Sequence, residues 1–316
     1  MSDIRYPSCA GRTAVVTGAT GGLGLATALG LARHGAEVIV TGRNAEKGRE
    51  ALATIERAVP QARLRFEGLD LASLASIARF TERMEGQPIH ILVNNAGVMA
   101  PPQRRSTQDG FELQFGTNHL GHFALTGRLL PSLIAGQAHI VTVASLAAWK
   151  GEIPLDDLNS TESYKRFARY RQSKLANLLF SLELHRRARA MNAPLHVRAA
   201  HPGWSTSAII TNSAALGLSR SPVGRVLSLV QDRLGNGLFR LMGQDVTAGA
   251  EPLLHAALSP QAQDGGYYGP QGSGERRGPP GPAILPPVAM GLSLSQNLWQ
   301  ASENMTGVRF DWETLA

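Results

Sequence analysis

The sequence holds a single cysteine, Cys9, among its 316 residues. No disulfide can form within the chain, so no covalent staple supports the fold, and a reducing compartment suits it. Lysine is scarce, present only as Lys47, Lys150, Lys165 and Lys174, so the formal net charge of +7 rests on arginine. Aromatic residues make up only 6%, and the pairs Arg104-Arg105, Arg186-Arg187 and Arg276-Arg277 have no aromatics interleaved with them. That pattern argues against nucleic acid and leaves a solvated surface or a phosphate-bearing ligand as the reason for the basic balance. No apolar run reaches the ~18 residues of a membrane span. The start, Met1 to Arg12, lacks the apolar stretch of a signal peptide. The chain reads as soluble and cytoplasmic, long enough to bury a large core unaided.

What is present is an alternation. Apolar strand-like runs at Thr13-Val16, Val38-Val40, Leu64-Phe66, Ile89-Val93, His139-Val143 and Leu195-Ala199 are separated by helical patterns. Those patterns cover Leu23–His34, Ala45–Ala58, Leu74–Met84, roughly Phe111–Ile134, and a long helix from near Phe167 past Glu183. Strands alternating with helices predict an α/β fold, a doubly wound parallel sheet of the Rossmann type, as one domain over residues 1–316. After Pro202-Gly203 the pattern changes. Val223, Val226, Leu227, Val230 and Leu234 mark one helical face, which makes residues 205–245 a candidate lid. A membrane or partner docking face, or an ordinary packed helix, are the alternatives. Gly265 to Pro287 is rich in Gly and Pro and reads as loop; a short helix around Leu294–Glu303 closes the C-terminal extension, residues 265–316.

Three local patterns carry chemistry. The first strand runs into Thr17-Gly18-Ala19-Thr20-Gly21-Gly22-Leu23-Gly24. Glycines 18, 22 and 24 let backbone N–H groups approach a pyrophosphate at the N-terminus of the next helix. A Gly-rich turn selected for packing alone is the competing explanation. The second strand ends in Thr41-Gly42-Arg43-Asn44, without the acid that holds the ribose of NAD; Arg43 suits the 2′-phosphate of NADP instead, unless it is a solvated turn residue. Asn44 can cap the following helix. Tyr170 and Lys174 stand at i and i+4, one face of a helix. An adjacent ammonium favours a phenolate, so such a tyrosine can exchange a proton with an alkoxide. A surface Tyr beside a solvated Lys would show the same spacing.

These segments, with Asn94-Asn95-Ala96-Gly97, Ser145 and Pro202-Gly203, occur in the order found in the short-chain dehydrogenase/reductases, and the chain resembles that family over about residues 11–207. Ile91-to-Met99, Asp109-to-Thr126 and Ser173-to-Phe180 are most similar to the branch of retinol dehydrogenases and the WW-domain-containing oxidoreductase. The tail around Tyr267-Tyr268-Gly269-Pro270 resembles bacterial oxidoreductases of that branch. The resemblance implies an NADP(H)-dependent oxidoreductase acting on a small, largely apolar carbonyl or alcohol. Tyr170 would be the general acid/base, and Lys174 would tune it and hold the nicotinamide ribose. Ser145 would bond the substrate oxygen, and Asn118 would hold a relay water or simply brace helix against strand. The implied cofactor contacts are Gly18, Thr20, Gly22, Leu23, Gly24, Arg43, Asn44, Asp70, Leu71, Asn95, Ala96, Gly97, Tyr170, Lys174, Pro202, Gly203 and Ser207.

Two departures from the family pattern stand out. Ala144-Ser145 replaces a serine pair, and Thr206 and Ser207 both compete for the nicotinamide carboxamide. His119 and His122 lie three apart, but no third ligand completes a zinc pattern, so no metal is expected. A serine hydrolase is excluded for want of a G-x-S-x-G elbow. A cofactor sensor without turnover and a membrane-peripheral scaffold are the rival functions; a sensor needs no general acid. Relatives often pair through the helices that here span about 111–134 and 167–187, so a homo-oligomer is an expectation that the extended tail could reshape.

Overall fold

Strand β1, Thr13–Val16, ends where Gly18 takes a φ of 64°, a left-handed turn that glycine enters without strain. A computed structural model describes residues 6–204 and 245–312. β2 (Glu37–Gly42), β3 (Leu64–Gly68), β4 (Ile91–Asn94), β5 (His139–Val143) and β6 (His196–Ala200) join β1 in a parallel sheet. The full order is β3-β2-β1-β4-β5-β6-β7-β8, the doubly wound architecture that the alternation predicts. The order reverses between β1 and β4, and ligand crevices of open α/β sheets lie at such a switch point. β1 and β4 are almost wholly buried, as expected for central strands covered on both faces.

Helices α1 (Gly22–Arg33) and α2 (Ala45–Ala58) cover one face of the sheet, with Leu31 and Ile55 buried beneath them. The other face carries α3 (Leu74–Arg83) and a helical run through α4 (Leu113–Phe115), α5 (Gly121–Arg128) and α6 (Leu130–Ala135). The 25-residue helix α7, Arg166–Ala190, packs beside them.

Two sequence expectations are corrected, and one helix was not foreseen. The helix expected over about 111–134 is broken: a π turn occupies Gly116–Leu120, and a second break falls at Leu129, just before Pro131, which cannot donate an intrahelical N–H. The stretch Gly265–Pro287 is not simply loop. It contributes β7 (Tyr267–Pro270), parallel to β6, and β8 (Pro280–Pro282), antiparallel to β7. Prolines are tolerated in β8 because it is the edge strand. The C-terminal extension is therefore partly sheet. A helix that the sequence concealed, α8 (Val246–Leu258), crosses from β6 towards β7; its N-cap Asp245 accepts from Thr247 N–H, and Pro252 inside it masks the helical pattern. α8 lies so close to α1 that a Cβ on Gly30 would sit 2.4 Å from Leu254. The candidate lid over 205–245 lies, apart from Asp245, outside the described residues, as do Thr206 and Ser207. Among the described residues no helix is long and apolar enough to cross a membrane.

The final helix α9, Leu292–Thr306, packs on α7, and the segment after it packs on α5, where a Cβ on Gly127 would meet Val308 and Phe310. The tail thus covers part of the surface of α5 and α7. Trp299 is the centre of this closure. It is 2% exposed and lies 4.5 Å from the Phe310 ring, 5.0 Å from Phe123 and 4.5 Å beneath the Arg187 guanidinium. Truncating a buried Trp to Ala costs about 3–5 kcal/mol. Trp299→Ala should therefore lower unfolding stability by about that amount in a denaturant titration. A loss below about 1 kcal/mol, the size of a surface substitution, would mean the tail is not part of the cooperative core.

Candidate functional site

Two cavities open at the carboxyl ends of the central strands. The first, of about 350 Å³, is lined by Gly18, Thr20, Gly22, Leu23 and Gly24 of the Gly-rich turn, by Arg43, by Asp70 and Leu71, and by Asn95, Ala96 and Gly97. Here backbone comes very close to backbone. A Cβ on Gly24 would lie 2.5 Å from both Asn95 Nδ2 and Gly18 O, and one on Gly18 would lie 2.9 Å from Ala96 Cβ. α1 begins without a side-chain cap and without an acid in its first turn, so its N–H groups are left for an anion. At the far end, a Cβ on Gly42 would lie 2.6 Å from Thr20 Cγ2, which keeps side chains out at that position. The cations there are Arg43 and Lys47, both exposed, and neither makes an ion pair among the described residues. Lys47 was not among the residues expected from the sequence. Its signal was its place in the first turn of the helix that Asn44 caps, with Asn44 Oδ1 accepting from Lys47 N–H at 3.0 Å. These features fit a dinucleotide carrying phosphates.

The second cavity, of about 390 Å³, is lined by Ser145, Tyr170 and Lys174, by Pro202 and Gly203, and by the apolar Met99, Leu146, Trp149, Phe167 and Trp204. Leu23 and Asn95 line both cavities, so the two meet. α7 supplies Phe167, Tyr170, Arg171 and Lys174 at i, i+3, i+4 and i+7, a single helix face. Ser145 caps the 3-10 turn Leu146–Lys150, accepting from Ala147 N–H, and shares a hydrogen bond with Tyr170. Burial pushes the Tyr170 phenol up to about 12, against the opposing pull of that bond. Lys174 is 2% exposed and its Nζ donates to Val143 O at 3.1 Å. Burial pulls its ammonium down to about 8.

Lys174 Nζ lies 6.0 Å from the Tyr170 ring centroid and donates one of its three N–H groups to the sheet. Burial is the largest influence on both groups, raising the phenol and lowering the ammonium.

Asn118 lies in the π turn, wholly buried. Its Oδ1 accepts from Val98 N–H at 2.8 Å, and its Nδ2 donates to Val98 O at 3.0 Å and Ser173 Oγ at 2.9 Å. Ser173 Oγ in turn donates to Tyr170 O. The side-chain amide of Asn118 is therefore committed to bracing the segment that follows β4 against α7. Its main-chain carbonyl meets His122 Nδ1 at 2.8 Å, and His122 Nε2 meets Thr17 Oγ1 at 2.9 Å. A carbonyl can only accept, so Nδ1 carries the proton and Nε2 accepts from the Thr17 hydroxyl. Thr17 Oγ1 also accepts from Asn95 and Ala96 N–H. Burial draws the His122 imidazole down to about 4, which keeps it neutral in this chain of bonds. The sequence offered His122 only as half of an incomplete metal pair with His119. His119 itself is paired to Ser302 Oγ of α9.

Comparison with known proteins agrees with this geometry. The short chain dehydrogenase family model matches residues 12–215. The chain belongs to the short-chain dehydrogenases. The mouse polyprenol dehydrogenase is 36% identical over 310 residues, covering 95% of this chain and 85% of that protein. Human retinol dehydrogenase 14 is 36% identical, covering 94% and 86%. A crystal structure of an uncharacterized protein from Mycobacterium Paratuberculosis superposes with a TM-score of 0.76 at 37% identity, covering 97% of each chain. A protein described as an NAD(P) dependent gluconate 5-dehydrogenase from Beutenbergia cavernae, with bound NADP at low occupancy, gives 0.62 at 26% identity, covering 82% and 95%. This short-chain dehydrogenase is an oxidoreductase of the branch that holds the retinol dehydrogenases.

A support under the second cavity escaped the sequence reading. His201 is fully buried; its Nε2–H donates to Glu275 Oε2 at 3.0 Å and its Nδ1 accepts from Gly203 N–H at 3.2 Å. Glu275 Oε1 accepts from Ile284 N–H, and Trp204 N–H donates to Arg276 O. The turn at 272–277 thus holds Pro202-Gly203-Trp204 in place from below. Gly203 has a φ of 63°, and a Cβ there would lie 2.4 Å from Arg276 O. Burial works to raise the Glu275 carboxyl, but the bonds from His201 and Ile284 outweigh it and hold it below the ordinary carboxylate value. The pair's contribution is present above the ordinary carboxylate pKa and is lost as pH falls through the depressed one. Glu275→Ala leaves two donors without a partner and should cost about 2 kcal/mol. Glu275→Gln keeps one acceptor and should cost roughly half as much. Denaturant titration of both variants checks this, and equal stability of all three proteins would remove the support.

Proposed function

We propose that this oxidoreductase is NADP(H)-dependent and interconverts a carbonyl and an alcohol on a largely apolar substrate. The observation that carries the reading is the meeting of the two cavities at Leu23 and Asn95, where a phosphate-fitting cleft runs into an apolar chamber floored by Ser145 and Tyr170. When bound, a nicotinamide dinucleotide supplies or accepts the hydride. Arg43 and Lys47 would hold its 2′-phosphate, the Gly-rich turn its pyrophosphate, and Asp70 and Leu71 its adenine end. Pro202 and Gly203 would border the nicotinamide.

Ser145 Oγ orients the substrate oxygen, and Tyr170 passes it a proton in reduction or removes one in oxidation. Lys174 offers its ammonium to the ribose hydroxyls, and Asn118 braces the segment that follows β4 against α7 beneath it. The relatives named for polyprenol and retinol point to an oxygen on an apolar body, which the Met99, Trp149, Phe167 and Trp204 lining suits.

Two variants separate the roles. Tyr170→Phe should bind NADPH normally while turnover drops by ~10²–10⁴-fold, the usual contribution of general acid–base catalysis. Arg43→Ala should do the reverse, losing about tenfold in NADPH affinity, with NADH binding little changed. Fluorescence titration and turnover on an apolar aldehyde read both. Near-normal turnover by Tyr170→Phe would remove the phenol from the mechanism, and a wild-type preference for NADH would remove the cofactor assignment.

A further inference from the structure

Among the described residues the chamber over Tyr170 is lined by three charged side chains, Lys150, Arg171 and Lys174, and all three are cations. Lys174 is buried at the floor. Lys150 and Arg171 lie further out, the first exposed and the second half-buried, beside the rings of Trp149 and Phe167, which are 42% and 48% exposed. Neither outer cation makes an ion pair or a side-chain hydrogen bond among the described residues.

The fold brings the two together. The turn Leu146–Lys150 packs along α7, and a Cβ on Gly151 would lie 2.7 Å from Arg171 O. Like charges at one rim repel unless an anion lies between them, and apolar walls focus their field into the chamber. A neutral hydrocarbon would leave both cations unused and would have to shed their water to pass them.

On the reading that Tyr170 is the proton donor of a carbonyl–alcohol oxidoreductase, we propose that the substrate is amphipathic. Its reacting oxygen sits at Ser145 and Tyr170, its apolar body lies against Trp149 and Phe167, and its far end carries a carboxylate or phosphate held by Lys150 and Arg171. The planar guanidinium of Arg171 can grip either anion through two parallel N–H bonds, and Lys150 adds a point charge. The anion takes no part in the redox step. The carbonyl carbon gains the hydride, the oxygen gains the Tyr170 proton, and the distal group leaves unchanged.

The test uses the whole enzyme with NADPH and a series of ω-oxo fatty acids from short to long chain, their methyl esters, and the matching ω-oxo alkyl phosphates. The acid or the phosphate should exceed the ester in kcat/KM by about tenfold or more at the best chain length, and the better of the two identifies the anion. In the Lys150→Gln/Arg171→Gln double variant the anion-to-ester ratio should fall to about one. NADPH affinity is measured alongside. A wild-type enzyme that reduces esters as well as acids and phosphates overturns this proposal alone, leaving the carbonyl reductase reading intact. A double variant that keeps the anion preference, or loses it only in step with NADPH affinity, overturns it as well, since the cations would then serve another group. Failure to reduce any member of the series would defeat the underlying reading together with this one.

Discussion

One carbonyl at the end of β5 organises the catalytic side of this short-chain dehydrogenase. Val143 O accepts from Lys174 Nζ and from Asn177 Nδ2, both at 3.1 Å. The two donors stand three residues apart on α7, so the bonds fix both the depth and the rotation of that helix against the sheet. Tyr170, one turn earlier on the same face, is thereby carried over the cleft and against Ser145, which follows β5 directly. The cost is a buried ammonium, and the protein bears it by pairing that charge with a carbonyl and depressing its pKa.

The nucleotide side is tied to this frame by a second set of bonds. Thr17 Oγ1 gathers Asn95 and Ala96 N–H and reaches His122, which reaches the Asn118 carbonyl in the π turn. Gly97 completes the junction: a Cβ there would stand 3.2 Å from Asn118 Oδ1 and 3.8 Å from Lys174 Nζ. A shift of the Gly-rich turn therefore passes to β4, the π turn and α7 within a few bonds. On the proposed function, this network would position a hydride donor and a proton donor on one carbon.

The parts legible in the sequence are those whose signal is local. The Gly-rich turn sits between a strand and a helix, Tyr170 and Lys174 share a helix face, and six of the seven parallel strands announce themselves as apolar runs. The parts that were hidden depend on contacts distant in sequence. Pro252 breaks the pattern of the helix over Val246–Leu258, although that helix is held by packing on α1. The strands at Tyr267–Pro270 and Pro280–Pro282 are made of residues that punctuate loops, and only their place at the sheet edge makes them strands. The pairing of His201 with Glu275 spans 74 residues, and no spacing rule reaches that far. The i, i+4 spacing of Tyr170 and Lys174 points to charge acting on a phenol, and it says nothing of the burial that the surrounding fold adds to both groups.

The burial of Lys174 against Val143 O is the constraint on which this arrangement depends. The scarcity of lysine makes it directly measurable, since only Lys47, Lys150, Lys165 and Lys174 contribute signals when lysine side chains are isotope-labelled. Titration followed by NMR should show one lysine changing charge at about 8, and Lys174→Met should remove that signal. A wild-type protein with no lysine changing charge there, or a Lys174→Met variant that keeps the signal, would contradict a desolvated Lys174.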